Sequence, residues 1–223
     1  MRRTRDLSAS DRQLEKATVA AAAALLVRDG MCVGLGSGTT VAQLLPLLPG
    51  RAPDVVYVAT SPRTERAAHS LGLDVRPFDT LDRLDLAIDG ADQVAPSGWL
   101  VKGGGGAHTH EKIVAAAAER FVVIVSSDKL VDELSPPVPL ELLSFGLAAT
   151  LLALQPTDLR PVPPSPEGGV IADYHGPVDD PAALAALLSS VPGVVEHGLF
   201  PPSVVDEVLV ARGTTVERLG FRG

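Results

Sequence analysis

Asp89 and Asp92 stand at the end of an apolar run, and Lys102, the glycines at 103–106 and Glu111 follow within the stretch DGADQVAPSGWLVKGGGGAHTHEK. Each part has an ordinary reading by itself. Asp-Gly is a frequent turn dipeptide, Lys102 would serve as a solvated strand end, and Glu111 in a first helical turn gains roughly 0.3–1 kcal/mol from the dipole. Consecutive glycines are harder to dismiss, because each loses more backbone entropy on folding than any other residue. What they permit is close approach of a ligand to the backbone. Acidic and ammonium groups converging on such a loop make the stretch a candidate active site, where charges of both signs act on one bound ligand.

A second glycine loop, Gly34-Leu35-Gly36-Ser37-Gly38-Thr39-Thr40, follows a short apolar run and precedes a helical pattern. Strand, glycine loop and helix in that order point backbone N–H groups and a helix dipole at an anion. Thr39 stands where the dinucleotide fingerprint needs glycine. Asp54 has the spacing of that motif's acidic partner but precedes the next strand, and the Gly-Lys of a P-loop is missing. A generic phosphate cradle remains, with hydroxyls from Ser37, Thr39 and Thr40.

His108, His110 and Glu111 place three metal-ligand types in four residues. With Thr109 capping a helix the two imidazoles would diverge, and no further His or Cys nearby completes a site, so no metal is expected. Asp173 and His175 invite a hydrolase triad, but no GxSxG runs into a helix.

These groups need a scaffold that gathers strand ends. The pattern predicts a helix over 14–27 stopped by Gly30, a strand over 31–33, a helix over 41–48, a strand over 55–59, a helix over 63–71 closed by Gly72, and strands over 73–75 and 84–88. Strands alternating with helices imply a parallel sheet with its site at the strand carboxyl ends. The turn Ala95-Pro96-Ser97-Gly98 is expected to fold 99–101 back and return Lys102 towards the aspartates. Thr109 is the expected N-cap of a helix running to 120. A strand over 121–125 then ends in Ser126-Ser127-Asp128-Lys129.

Beyond Pro136-Pro137 the pattern reads strand 138–142, helix 144–154, strands 159–162 and 170–174, helix 181–191 and strand 194–200. That order, βαββαβ, is the split βαβ or ferredoxin-like unit. Prolines at 161, 163, 164 and 166 mark an exposed loop, and 208–210 returns to the first sheet. The expected fold class is α/β, with a Rossmann-like parallel-sheet domain over 1–135 plus 205–223 and an inserted smaller α+β domain over 136–204.

With 46% hydrophobic and 21% charged residues the chain is globular, and a net charge of −8 argues against a nucleic-acid surface while leaving room for a small anionic ligand. The single Cys32 excludes an internal disulfide and reads as a core thiol of a reducing compartment. The N-terminal arginines before an apolar run mimic a signal peptide, but Asp6, Asp11 and Glu15 interrupt them and Arg28-Asp29-Gly30 occupies the cleavage region. No run approaches the roughly 20 apolar residues needed to span a bilayer. A cytoplasmic protein without membrane contact is expected.

Gly34 to Thr40, Asp89-Gly90-Ala91-Asp92, Lys102 to Ala107 with Glu111-Lys112, and Ser127-Asp128-Lys129 together resemble ribose-5-phosphate isomerase of the A type. The resemblance runs from about residue 14 and includes Pro192-Gly193-Val194-Val195-Glu196-His197-Gly198-Leu199-Phe200. It implies interconversion of D-ribose 5-phosphate and D-ribulose 5-phosphate without metal or organic cofactor. Glu111 would move the proton between C2 and C1 through an enediolate, and Asp89, Asp92 and Lys102 would act on the opened sugar. Substrate binding would fall to Lys16, Gly36, Ser37, Gly38, Thr39, Thr40, Gly103, Gly104, Gly105 and Lys129. A homodimer or homotetramer is implied as well, through the small domain.

The chemistry agrees with those roles. A fixed ammonium stabilises the developing oxyanion where water is excluded, and a carboxylate base works best when burial raises its pKa towards the operating pH. Three positions depart from the family: Gln93 replaces a usual Glu, His110 a usual Arg, and Pro166-Glu167-Gly168-Gly169 a usual Asp-Asn-Gly-Asn. The first two flank the site and bear on pKa tuning and turnover, the third on a loop or subunit contact. A sugar-phosphate sensor on the same fold would need a DNA-binding module, for which the segment before the first strand leaves no room. A transferase acting through a glutamate thioester would be separated by hydroxylamine or borohydride trapping.

Overall fold

A computed structural model describes residues 7–221; the ends of the expected large domain, 1–6 and 222–223, lie outside the described residues. Helix α1 (Ala9–Ala24) starts earlier than the apolar pattern, because Ser8 accepts from the Asp11 N–H and caps it, and it ends at Leu25 rather than at Gly30. Gly30, at φ 75°, turns the chain into the first strand instead. The order then runs β1 (Cys32–Leu35), α2 (Val41–Leu44), β2 (Val56–Ala59), α3 (Pro62–Ser70), β3 (Asp74–Val75), β4 (Leu86–Asp89), β5 (Gln93–Val94) and β6 (Leu100–Val101). It continues α4 (His108–Ala117), β7 (Phe121–Ser126), β8 (Val138–Leu142), α5 (Leu147–Ala153), β9 (Thr157–Leu159), β10 (Val170–Tyr174), α6 (Pro181–Ser190), β11 (Val194–His197), β12 (Leu199–Phe200), β13 (Glu207–Arg212) and β14 (Thr215–Gly220).

Seven strands form one sheet in the order β14-β13-β7-β4-β1-β2-β3, parallel except for β14 on β13. Central strands covered on both faces must be apolar at every position, and β7 is buried throughout. Val122 and Ile124 pack with Val19 and Ala23 of α1, whereas Val123 and Val125 pack with Val114 of α4 and with Phe200. The chain leaves β1 towards β2 on one side, while β4 lies on the other. Their carboxyl ends therefore open a crevice at the point where strand order reverses, the place where such sheets bind ligands.

A second sheet has the order β11-β8-β10-β9, antiparallel throughout, which is the order of a split βαβ unit. Val138, Leu140 and Leu142 of β8 pack with Leu184 and Leu188 of α6. Alternation along a strand sends the intervening residues to the opposite face, and there Pro139 and Glu141 lie in register with Asp173 and Ile171. That face covers the glycine run: a Cβ on Gly103 would come within 2.9 Å of Pro139, and one on Gly106 within 3.3 Å of Ile171.

The strand expected over 194–200 is broken at Gly198, and β12 joins β6 and β5 in a separate three-stranded sheet. A Cβ at Gly198 would stand 2.1 Å from the Lys102 carbonyl oxygen, so only glycine lets the two segments cross. β14 carries no apolar pattern because it is a half-exposed edge. Among the described residues no helix is long and apolar enough to cross a membrane.

Candidate functional site

Asp89 ends β4 directly against the loop that follows β1. Gly36 makes that contact feasible, since a Cβ there would fall 1.8 Å from the Asp89 carboxyl carbon. Oδ1 of Asp89 accepts from the Ser37 N–H at 3.1 Å and the Gly90 N–H at 2.7 Å. Oδ2 accepts from Lys102 Nζ at 2.7 Å. Lys102 arrives as the sequence suggests: Gly98, at φ 84°, closes the turn after β5 and β6 runs back antiparallel. The lysine is 2% exposed, donates to the Gly90 carbonyl at 2.6 Å and lies 3.0 Å from Glu111 Oε2. Its ammonium also stands 5.3 Å from the Phe200 ring centre, within cation–π range.

Glu111 occupies the first turn of α4 and accepts from Ser37 Oγ at 2.5 Å. Thr109 does not cap that helix; Ala107 holds the cap position without a side-chain bond. The Thr109 hydroxyl is drawn instead to the buried Glu141 carboxylate, which Ser165 also meets. An internal carboxylate without a cation needs such donors, and this one ties the start of α4 to the second sheet.

Two buried carboxylates share one buried ammonium. Burial first, and the Glu111 charge second, push Asp89 up to about 7 against the pull of Lys102. Glu111 shifts the other way. Burial would raise it, but Lys102 and the Ser37 hydroxyl hold it below the ordinary carboxylate value. The raised pKa under which a carboxylate base works best is therefore not found in the free pocket, because Lys102 at 3.0 Å and the Ser37 hydroxyl together outweigh desolvation. Burial opposes charge on Lys102 too, yet the two carboxylates override it and keep the ammonium protonated.

The groups surround an open pocket. Every residue selected from the sequence lines it except Gly36, which is buried beneath Asp89, and Gly90 and Ala91 line it in addition. Asp92 accepts from the Gly104 N–H at 2.8 Å. Lys16 donates to Thr39 at 2.8 Å, and burial together with the neighbouring Lys129 charge lowers its pKa. α2 is a single turn of four residues, so the cradle rests on loop N–H groups and hydroxyls rather than on a long helix. Glu15 escaped the sequence reading. It is buried on α1 and accepts from the Ser127 N–H at 2.7 Å and the Gly213 N–H at 2.9 Å, which anchors the segment bearing Lys129. Its position four residues before Val19, on the apolar face, was the available signal.

Comparison with known proteins follows the same outline. The family model for ribose 5-phosphate isomerase A (phosphoriboisomerase A) matches residues 56–215. The chain belongs to that family. A ribose-5-phosphate isomerase A of Synechococcus sp. is 41% identical over 217 residues, covering 88% of this chain and 90% of the relative. The ribose 5-phosphate isomerase A structure from Methanocaldococcus jannaschii superposes with a TM-score of 0.88 at 34% identity, covering 94% of this chain and 99% of that one. A D-ribose-5-phosphate isomerase structure in complex with phospho-erythronic acid gives 0.85 at 34% identity, over 92% of this chain and 98% of that one.

The positions that depart from the family pattern have partners. His110 Nε2 meets Glu167 at 2.7 Å, so two departures pair with each other. Gln93 turns to the Ser135 backbone and does not line the pocket. His108 is fully buried with its Nδ1 unpartnered, and its Nε2 lies 3.4 Å from the Glu196 carbonyl, a different partner from that of His110. Among the described residues no cluster of metal-ligand side chains forms. Asp173 pairs with Arg160 rather than with His175.

Gly36 offers a direct check on this geometry. Gly36→Ala is expected to destabilise the protein by about 3 kcal/mol, the upper range for overpacking, and to displace Asp89 from Lys102. Denaturant unfolding measures the first; wild-type stability in this variant would contradict the packing described.

Proposed function

We propose that this chain interconverts D-ribose 5-phosphate and D-ribulose 5-phosphate, with Glu111 as the base. The observation that carries this reading is the buried Lys102 ammonium held between Asp89 and Glu111 in a pocket that also contains Lys16, Thr39 and Lys129. In the opened aldose, the Glu111 carboxylate takes the C2 proton and the C1 carbonyl oxygen gains charge. Lys102 stabilises that oxygen in a low-dielectric site. The proton on the C2 oxygen passes to the C1 oxygen by way of Asp89 or Asp92, and Glu111 returns its proton to C1, leaving the ketose. The depressed pKa keeps Glu111 ionised before substrate arrives; a substrate oxygen that engages Lys102 weakens that restraint and raises the basicity of Glu111. Ser37, Gly38, Thr39, Thr40, Lys16 and Lys129 hold the phosphate, and Gly103, Gly104 and Gly105 admit the sugar.

A division into 1–135 plus 205–223 and 136–204 accompanies this reading, with β12 as the segment of the smaller part that pairs into the larger. The exposed apolar Leu143, Phe145, Leu152 and Leu187 on the smaller part favour a homodimer or homotetramer. A cytoplasmic enzyme with one free cysteine and neither metal nor organic cofactor completes it. A coupled assay on ribose 5-phosphate, with and without chelator, is expected to give equal rates of ribulose 5-phosphate formation. Absence of turnover in both would overturn the function; loss on chelation alone would overturn the metal-free mechanism.

A further inference from the structure

We infer that Arg160 and Asp173, on the second sheet, are positioning residues for the reaction: together they lock the peptide units of the glycine loop so that the loop's N–H groups face the sugar. The inference rests on the isomerase reading of the same pocket.

Arg160 follows β9, and its N–H bonds the Ile171 carbonyl at 2.9 Å, which carries the edge of the small sheet one residue beyond the strand. The guanidinium is fixed by Asp173 of β10 through Nε at 2.8 Å and through Nη2. Both side chains are largely buried, at 16% and 18% exposure, so the fork–fork pair is shielded from competing water. Nη1 then reaches across to the first sheet's loop. It donates to the Gly103 carbonyl at 3.0 Å and the Gly104 carbonyl at 3.1 Å.

In a planar trans peptide the C=O and the following N–H point in opposite directions. Holding the Gly103 carbonyl on Arg160 therefore aims the Gly104 N–H away from it, and that N–H meets Asp92 at 2.8 Å. The first peptide is clamped at both ends. Holding the Gly104 carbonyl likewise aims the Gly105 N–H away from Arg160. Among the described residues no acceptor meets this N–H, and Gly105 lies on the pocket wall, its Cβ position 3.7 Å from Ser37 Oγ. A loop of glycines has little preference of its own among such orientations. The Gly106 N–H closes a turn on the Gly103 carbonyl at 3.0 Å, and the Arg160 fork is the group from outside the loop that touches both the Gly103 and the Gly104 carbonyls.

Arg160→Met, with steady-state kinetics on ribose 5-phosphate, tests the idea. Expected is a loss in kcat/KM of roughly tenfold to a hundredfold, the scale of a misplaced reacting group. Inhibition by phospho-erythronic acid should weaken about tenfold, while inhibition by inorganic phosphate, gripped elsewhere, stays within about twofold of wild type. A general structural defect would weaken both inhibitors. Arg160→Lys should not restore activity, because one ammonium cannot span two carbonyls and a bidentate carboxylate. Combining Arg160→Met with Asp173→Asn should add little to either alone, since both act through one pair. If Arg160→Met fails to fold, Asp173→Asn carries the same kinetic prediction at unchanged volume. Wild-type kinetics in the folded variants, full rescue by lysine, or equal loss of both inhibitors would overturn the inference. If the wild type itself shows no turnover the isomerase reading fails, and calorimetric binding of the same two inhibitors to wild type and variant still decides whether Arg160 sets the loop.

Discussion

Glu111→Gln is expected to lower kcat by about 10³-fold, within the range for removal of a general base, while changing the affinity for ribose 5-phosphate by only a few-fold. The glutamine keeps the volume of the side chain and an oxygen for the Ser37 hydroxyl. Lys102 keeps Asp89 and the Gly90 carbonyl as partners. What disappears is a carboxylate held ionised by Lys102 and the Ser37 hydroxyl. Wash-in of solvent deuterium at C2 of ribose 5-phosphate should stop together with turnover. Retention of more than about a tenth of wild-type activity would exclude Glu111 as the base. Asp89, pushed up to about 7 and bonded to the same ammonium, would then become the candidate.

Lys102→Met should be the most damaging substitution for stability. It leaves Asp89 and Glu111, both 5% exposed in their side chains or less, without the cation between them. Removing one member of a buried ion pair typically costs about 3–5 kcal/mol. The deficit should grow with pH. In the wild type, Glu111 has a folded pKa below its unfolded value, so its contribution is complete above the unfolded value and is lost as pH falls through the folded one, whereas Asp89, pushed up to about 7, already withdraws stability as pH rises. The methionine variant forfeits the Glu111 contribution. Its carboxylates shift upward, so each favours the folded state at low pH and withdraws that support as pH rises. Denaturant unfolding at pH 5 and pH 8 should therefore show a wider gap between wild type and variant at pH 8. A constant gap would mean that the lysine does not govern the two carboxylates. Catalysis should fall with it, since among the described residues Lys102 alone forms an ion pair with Asp89.

Much of this was legible from local pattern. The turn at Gly98, the strand end at Asp89 and the glycine run at 103–106 each declare themselves within a few residues, because turn chemistry and strand alternation are local properties. Thr109 was misread for the opposite reason. Its hydroxyl answers a carboxylate from β8 that no nearby residue announces. The strand over 194–200 breaks at Gly198 because the Lys102 backbone crosses there, a contact between segments nearly a hundred residues apart in sequence. β14 was invisible because an exposed edge needs no apolar alternation.

By itself the sequence determined most of the order of strands and helices, the parallel-sheet class and the two glycine loops, since hydrophobic periodicity and glycine placement act over short distances; the wider set of binding residues, Lys16 and Lys129 among them, came from the family resemblance. The tertiary structure decided the electrostatics and the orientation of the parts. Whether Glu111 is raised or lowered depends on how near Lys102 comes, and burial alone predicts the wrong sign. Which way the Gly103 and Gly104 peptides face depends on Arg160, which follows a separate strand and precedes a proline-rich segment. Interactions that fall off with distance in space, not along the chain, are fixed only when the fold closes.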